Sequence, residues 1–371
     1  MKILVAGDFC PQHRVAALFE QDDYASVLGS VRPIVSEADY SIVNFECPVC
    51  KGGEIPIEKH GPNLKCSEKG VKAVVWAGFD CVTLANNHFL DYGEKGVTNT
   101  LEACKEYNID VVGGGQNLKS ASSILYKEVG AQKLAIINCC EHEFSIATET
   151  SAGSNPLNPI QLFYDIREAR SKADYVLVIV HGGHEIWQLP SPRMKQTYQF
   201  FIDAGADAVV NHHQHCYSGY EIYKGKPIVY GLGNFCFDKQ NYFRGLWENG
   251  YMVEIETKTN ELTLYPYEQC KEKPTVRLTD NRREFDEQIN KLNVIIADND
   301  RLQEETFNYY ARKKKRVALS LEPYSNKLLK RLFLHGLIPS FMSKKRKRFL
   351  ANMVICESQR DLFTYYLNSY D

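Results

Sequence analysis

No stretch of 18 uncharged apolar residues occurs in the 371-residue chain, so no segment reads as a membrane-spanning helix. A secretory start is also lacking. The apolar run after Met1-Lys2 covers only Ile3–Ala6 and stops at Gly7-Asp8. A cytoplasmic protein is therefore expected, with peripheral contact at the inner membrane face as an option. The GxxxxGK[ST] phosphate loop is missing, and Val111-Val112-Gly113-Gly114-Gly115 reads as a strand entering a glycine turn. Cys47 and Cys50 form one CxxC without a second to partner it, and Cys139-Cys140 are adjacent. The twelve cysteines are expected to be mostly reduced thiols filling the core, with a zinc knuckle or redox pair at Cys47/Cys50 as the rival reading. Internal repeats, low-complexity tracts and nucleic-acid motifs are absent, so no nucleic acid is expected as a partner.

What is present is an ordinary globular composition, 44% hydrophobic and 24% charged. The length is ample for a core without disulfide or metal staples. The net charge of −2 hides a division. Residues 1–270 carry 23 Lys and Arg against 33 Asp and Glu, whereas residues 271–371 carry 21 against 13. An acidic body thus bears a basic tail.

Along the body, short apolar runs stop at polar residues. Ile3–Ala6 leads to Asp8, Tyr40–Val43 to Asn44, and Cys81–Ala85 to Asn86. Tyr175–Val180 leads to His181, and Ala208–Val210 to Asn211. Such runs fit strands buried on both faces. Helical spacing separates them, as in Gly93–Tyr107 (Val97, Leu101, Cys104) and Pro192–Ala204 (Tyr198, Phe201, Ile202). The alternation argues for an α/β body. Gly219–Tyr223 and Pro227–Tyr230 are expected to flank a turn, and Met252–Glu256 and Leu262–Tyr265 to form a hairpin. From Asn281 the pattern is helical and charged. The expected boundary lies near 270–280, giving a domain at 1–275 and a basic helical extension at 276–371.

In open α/β sheets ligands bind beyond the carboxyl ends of the strands. Those ends carry Asp8, Asn44/Glu46, Asn86/Asn87/His88, His181/His184/Glu185 and His212/His213/His215, which hold six of the ten histidines. Taken singly, each has a plain explanation: Asp8 as a cap, Asn86 and Asn87 as turn residues, His181 as a core histidine. Their coincidence at successive strand ends points to a metal site. His213-Gln214-His215 has i, i+2 spacing, which turns two imidazoles to one side if the segment is extended. Gly182-Gly183 removes side chains beside the site. Carboxylate, amide and imidazole together suit zinc, manganese or iron(II) rather than a Cys-type structural zinc.

At these residues the chain resembles the capsule-synthesis protein CapA family, the poly-γ-glutamate capsule biosynthesis proteins, with a calcineurin-like metallophosphatase fold. The matching stretches include Ala6-Gly7-Asp8, Val43–Pro48, Leu84–Gly93, His181–Glu185, Asp203–Asp207, His212–His215 and Tyr230–Phe235, spread over roughly residues 1–270. The resemblance implies a four-layer sandwich of two mixed sheets flanked by helices, with the site at one edge. It also implies roles. Asp8, Glu46, Asn87, His181, His213 and His215 would bind one or two divalent ions, with Glu46 as the bridging carboxylate. His88 would be the catalytic histidine and Asp91 its orienting partner. Asn44, Asn86, His184, Glu185 and Asn234 are assigned to the substrate side. The first motif of the metallophosphatases, Asp-x-His, stands here as Asp8-Phe9-Cys10, which weakens one metal position. Asn211 and Gln214 replace a glycine and a proline of the histidine motif, and Gly231 replaces a serine before Leu232.

The implied function is a phosphoesterase-like, metal-dependent hydrolase of capsule or surface-polymer synthesis, acting on a phosphorylated substrate or an anionic polymer. A non-catalytic polymer-binding or scaffold component of that machinery is the alternative. The tail holds Arg312–Arg316 and Lys344–Arg348, separated by Leu328-Leu329, Leu332–Leu334 and Leu337–Pro339. It can pack on the body with solvated lysines, lie on an anionic membrane, or meet an anionic polymer or partner protein. Tyr365-Tyr366-Leu367 is expected to pack against something.

Overall fold

The computed structural model describes residues 1–239, 245–321 and 343–368. Numbered along the chain, the first sheet uses β1 (Lys2–Phe9), β2 (Tyr40–Phe45), β3 (Cys81–Thr83) and β4 (Asp110–Val112). It is completed by β13 (Asn234–Cys236), β14 (Asn249–Glu256), β15 (Glu261–Gln269) and β16 (Val276–Leu278). Its order is β16-β15-β14-β1-β2-β3-β4, with β13 also on β1. The second sheet uses β6 (Leu125–Val129), β7 (Gln132–Cys140), β9 (Tyr175–His181), β10 (Ala208–His212), β11 (Tyr220–Tyr223) and β12 (Lys226–Val229), in the order β11-β12-β10-β9-β7-β6. A short ribbon pairs β5 (Gly114–Gly115) with β8 (Gly153–Ser154). Both large sheets are mixed: β1, β2 and β3 run parallel, as do β7, β9 and β10, while β14 runs against β1 and β6 against β7.

Side-chain alternation along the strands builds the layers. In β1, Ile3 and Val5 enter the core between the sheets, while Leu4 and Ala6 face helices. In β9, Leu177 and Ile179 face the other sheet, while Val176, Val178 and Val180 face the helices Pro159–Lys172 and Pro192–Ala204. The helices Lys69–Ala77 and Gly93–Glu106 cover the first sheet through Val71, Val74 and Val97. Each such aliphatic side chain contributes about 1.5–3 kcal/mol when fully buried. The result is helix, sheet, sheet, helix, the α/β architecture expected from the sequence.

Tyr223 and Lys226 pair across a two-residue turn in which Lys224 and Gly225 both have positive φ, as a tight hairpin requires. All twelve cysteines are free thiols, and all but Cys50 are buried. Among the described residues no helix is long and apolar enough to cross a membrane.

The helix Arg282–Ala297 buries Phe285 and Ile289 between the sheets, and Leu292 and Ile296 on the second sheet's outer side. The helix Asn299–Leu321 follows, bringing Tyr309 and Tyr310 onto the buried ring of His184. Tyr309 stacks on Trp187 at 4.5 Å. Tyr365, in the helix Glu357–Asn368, stacks on Phe307. Leu328–Pro339, the apolar part of the tail, lies outside the described residues.

Two predictions follow from this packing. Gly113 has φ +89°, and a Cβ there would lie 1.9 Å from Asn138 Oδ1, the oxygen that accepts from the Ala85 amide. Gly113→Ala is expected to cost about 2–4 kcal/mol, combining strain with a displaced turn, read as a lowered urea midpoint. Burial pushes His184 down to about 3, so the ring is neutral in the fold and protonated in the unfolded chain below about pH 6.5. Its contribution is complete above that pH and fades as pH falls toward about 3. Between pH 8 and 5 this one ring should remove about 2 kcal/mol. His184→Phe should recover that share of the acid-induced loss in thermal melts.

Candidate metal centre

The carboxyl ends of β1, β2, β3, β7, β9 and β10 meet at one edge of the two sheets. His212 ties the sheets together there by its 2.9 Å contact with the Ala6 carbonyl. Beyond this join, Glu46 is fully buried, and neither of its carboxylate oxygens has a hydrogen-bond partner among the described residues. His181 Nε2 stands 3.6 Å and His215 Nε2 3.8 Å from Glu46 Oε1. His215 Nδ1 lies 3.6 Å from Asp8 Oδ2, and His181 Nδ1 lies 3.9 Å from Asp8 Oδ1. These gaps are too long for hydrogen bonds. The two Nε2 gaps to Glu46 suit ligands sharing an ion held at about 2.0–2.2 Å from each, while the Nδ1 atoms face Asn44 and Asn234.

Two overlapping groups emerge. Glu46, His181 and His213 converge on one point, and Asp8, Glu46 and His215 on another, so Glu46 belongs to both. Asn87 joins the first: its Oδ1 lies 3.0 Å from His181 Nε2, which is itself 3.1 Å from His213 Nδ1. The electrostatics are those of a cation site. Burial, then the Asp8 carboxylate, pushes Glu46 well above the usual carboxylate range. Burial, then His213, holds His181 well below the usual imidazole range, and burial lowers His215 as well. The imidazoles are thus kept in the neutral form that ligates, and a divalent ion would remove the mutual repulsion of the carboxylates.

Cys10 belongs to neither group. Its thiol is buried beside Cys47 and accepts from the Gln12 amide at 3.4 Å, and burial raises its pKa, which keeps it a thiol rather than a ligating thiolate. The Asp8–Glu46–His215 group therefore offers three protein ligands, whereas Glu46, Asn87, His181 and His213 make four.

The histidine pair converges by a route other than the extended one expected. His213 and His215 have φ of +87° and +53°. Each left-handed residue costs on the order of 1–3 kcal/mol, a cost the surroundings must offset. Gln214 between them is buried and donates to the Trp187 and Leu189 carbonyls. His215 packs on Trp247 at 4.6 Å and contacts Asn234 Oδ1 at 2.9 Å.

Next to the metal ligands, His88 Nδ1 lies 2.7 Å from Asp91 Oδ2, which leaves Nε2 to meet a substrate. Burial, then the Lys59 ammonium, pushes His88 down to about 4. Asn44, Asn86 and Asn234, assigned to the substrate side from sequence, are fully buried and engaged within the site. Asn44 donates to Asp8 Oδ1 at 2.7 Å, and Asn86 donates to the Phe45 carbonyl and accepts from the His88 amide. Asn234 holds His215 and donates to the Trp247 carbonyl. His184 and Glu185 line a cavity of about 440 Å³ that also reaches Asn87 and His88.

Several residues of the site were missed in the sequence. Lys59 lies 3.1 Å from His88 Nδ1 and is ion-paired with Asp91. Glu141 and Glu143 follow β7. Glu143 accepts from Asn87 Nδ2 at 3.2 Å and lies 4.0 Å from His213 Nε2. Glu141 accepts from the Gly183 amide and from Arg193. Against the upward pull of burial, Arg193 keeps Glu141 below the ordinary range. Gly182 is needed beside it, because a Cβ there would lie 2.7 Å from Glu141 Cγ. A signal existed for both glutamates: Glu141-His142-Glu143 ends an apolar run as the other motifs do.

Residues 2–239 match the model of the bacterial capsule synthesis protein PGA_cap. The chain is 36% identical over 247 residues to the capsule biosynthesis protein CapA of Bacillus anthracis, covering 64% of this chain and 60% of that one. It is 33% identical over 236 residues to the PGA biosynthesis protein CapA of Bacillus subtilis, covering 63% and 62%. The match thus spans about three fifths of the length of both relatives. Among solved structures, a novel phosphatase of Mycoplasma pneumoniae overlaps 79% of this chain and 98% of its own, at 18% identity and a TM-score of 0.43. A family model covering well over half of the chain, and holding every residue of the cluster from Asp8 to His215, establishes that this protein belongs to the bacterial capsule synthesis protein PGA_cap family.

Proposed function

We propose that the protein is a metal-dependent hydrolase of phosphoesterase type, serving the synthesis of a capsule or surface polymer such as poly-γ-glutamate. The observation that carries this reading is Glu46, a buried carboxylate without a hydrogen bond, set among His181, His213, His215 and Asp8. That donor set fits a divalent ion, with manganese, zinc and iron the chemical candidates. Such an ion supplies Lewis-acid polarisation of a phosphoryl or carbonyl oxygen and acidifies water.

The chain's own residues do the rest. Asn44 and the His213 amide fix the Asp8 carboxylate. Asn234 orients His215, and Glu143 orients Asn87. Asp91 holds Nδ1 of His88 and would steady the imidazolium; once an anionic substrate offsets the Lys59 charge and Nε2 takes up a proton, that proton can pass to a leaving oxygen. Lys59 brings a buried positive charge to the same wall, where an anionic group would sit. The exposed basic residues Arg312, Lys344 and Lys345 offer a second contact for an anionic polymer, a membrane surface or a partner.

A second reading, a non-catalytic polymer-binding component, draws its support from Cys10. With a buried thiol where the metallophosphatase motif has an imidazole, the Asp8–Glu46–His215 position has one ligand fewer than the other.

The test joins metal analysis with a phosphodiester and phosphomonoester screen in manganese. Wild type is expected to hold stoichiometric metal and to turn over. His88→Ala should keep its metal and lose roughly 10²–10⁴-fold in kcat, the share of a general acid. His213→Ala should lose the metal itself. Metal-free wild type that binds polyanions without turnover would transfer the assignment to the second reading.

A further inference from the structure

The centre described above is bridged. On one side of its cavity, the helix Lys344–Ile355 meets the loop before the metal ligands: Arg348 pairs with Glu58, and Phe349 packs on His60 at 4.6 Å. On the other side, the helix Glu357–Asn368 is fastened to the loop after β7. Glu357 contacts His142 Nδ1 at 2.6 Å and accepts from its amide at 3.1 Å. Asp361 accepts from Arg193 at 3.0 Å, and the same guanidinium donates to Glu141. Cys356, between the two helices, is 3.8 Å from Glu143. The C-terminal helices thus span the mouth and are pinned at both rims.

The cavity beneath has two unlike walls. The body contributes Lys59, His88 and Glu185, and the bridge contributes Tyr309, Lys313 and Met353. Lys313, on the helix Asn299–Leu321 that packs against the last helix, lies 5.2 Å over the Tyr309 ring and lines the cavity, so this C-terminal wall brings a cation to it. The bridge begins at Asn299, beyond the residues 2–239 that match the family model. A linear polymer can cross an open cleft anywhere along its length. Under a bridge pinned on both sides it enters only by an end.

We propose that the C-terminal helices restrict this centre to the free end of an anionic chain, with Lys313 as the specificity-determining residue on the bridge. The inference rests on the anionic substrate of the preceding reading.

The test is calorimetric titration of the full chain in 0.3 M salt, which screens loose surface charge. The probes are a γ-glutamyl trimer and long poly-γ-glutamate of known chain number. The expected result is one protein per chain end for the long polymer, with the affinity of the trimer. Lys313→Met should weaken both by roughly tenfold, the worth of one charge-assisted contact. Lys313→Arg should restore binding, and Lys119→Glu, remote and exposed, should change nothing. The double variant Glu357→Lys/Asp361→Lys, with its bridge unpinned, should bind many copies along each long chain. Many copies per chain on wild type, no binding of either probe, or an unchanged Lys313→Met would overturn the proposal. Metal content in wild type and His213→Ala decides the hydrolase reading separately, because these titrations need no turnover.

Discussion

Glu46 sits at the end of β2, fully buried, and among the described residues no group donates a hydrogen bond to either of its oxygens. A carboxylate in that position is costly unless something positive comes to it. The nearest groups are imidazoles that burial keeps neutral and a second carboxylate that repels it. The rest of the edge is organised around that one charge. β1 delivers Asp8, β9 delivers His181, and β10 delivers the loop that carries His213 and His215. The two sheets must stand in register for these ends to meet, and the core of Ile3, Val5, Ile42, Leu177, Ile179 and Val210 between them sets that register.

Around the ligands lies a layer of amides that hold geometry. Asn44, Asn86, Asn138 and Asn234 each place a backbone turn or a neighbouring side chain. Asparagine suits the task because it donates and accepts without adding charge. In a pocket already crowded with carboxylates and imidazoles, neutral positioning groups leave the electrostatic balance undisturbed. The same economy explains Gly113 and Gly182, where close approach of Asn138 and Glu141 excludes a side chain.

Much of this was legible in the chain. Apolar runs stopping at Asp8, Asn44, Asn86, His181 and Asn211 marked both the strands and the edge where they meet. What stayed hidden has physical causes. The left-handed backbone of His213 and His215 carries no sequence signature, because such conformations usually announce themselves through glycine or asparagine. Lys59 lies in a loop without periodicity, and its partners are 29 and 32 residues away in sequence. Glu141 and Glu143 followed the same grammar as the other strand ends but lacked the histidine-rich company that drew notice elsewhere. The expected helical extension from 276 opens with the strand Val276–Leu278 on the first sheet, and its helices start at Arg282; charge and period say nothing about which surface a helix covers.

Arg193 reaches in two directions at once, to Glu141 behind the metal ligands and to Asp361 on the last helix. Trp187 and His184 likewise complete their packing only against Tyr309 and Tyr310. A fragment trimmed to the family-matching segment would therefore carry a raw edge. It would expose aromatic rings to water and leave a half-neutralised guanidinium beside the loop after β7, a surface prone to self-association. The described C-terminal helices are, in that sense, cladding that the site's wall was shaped to receive.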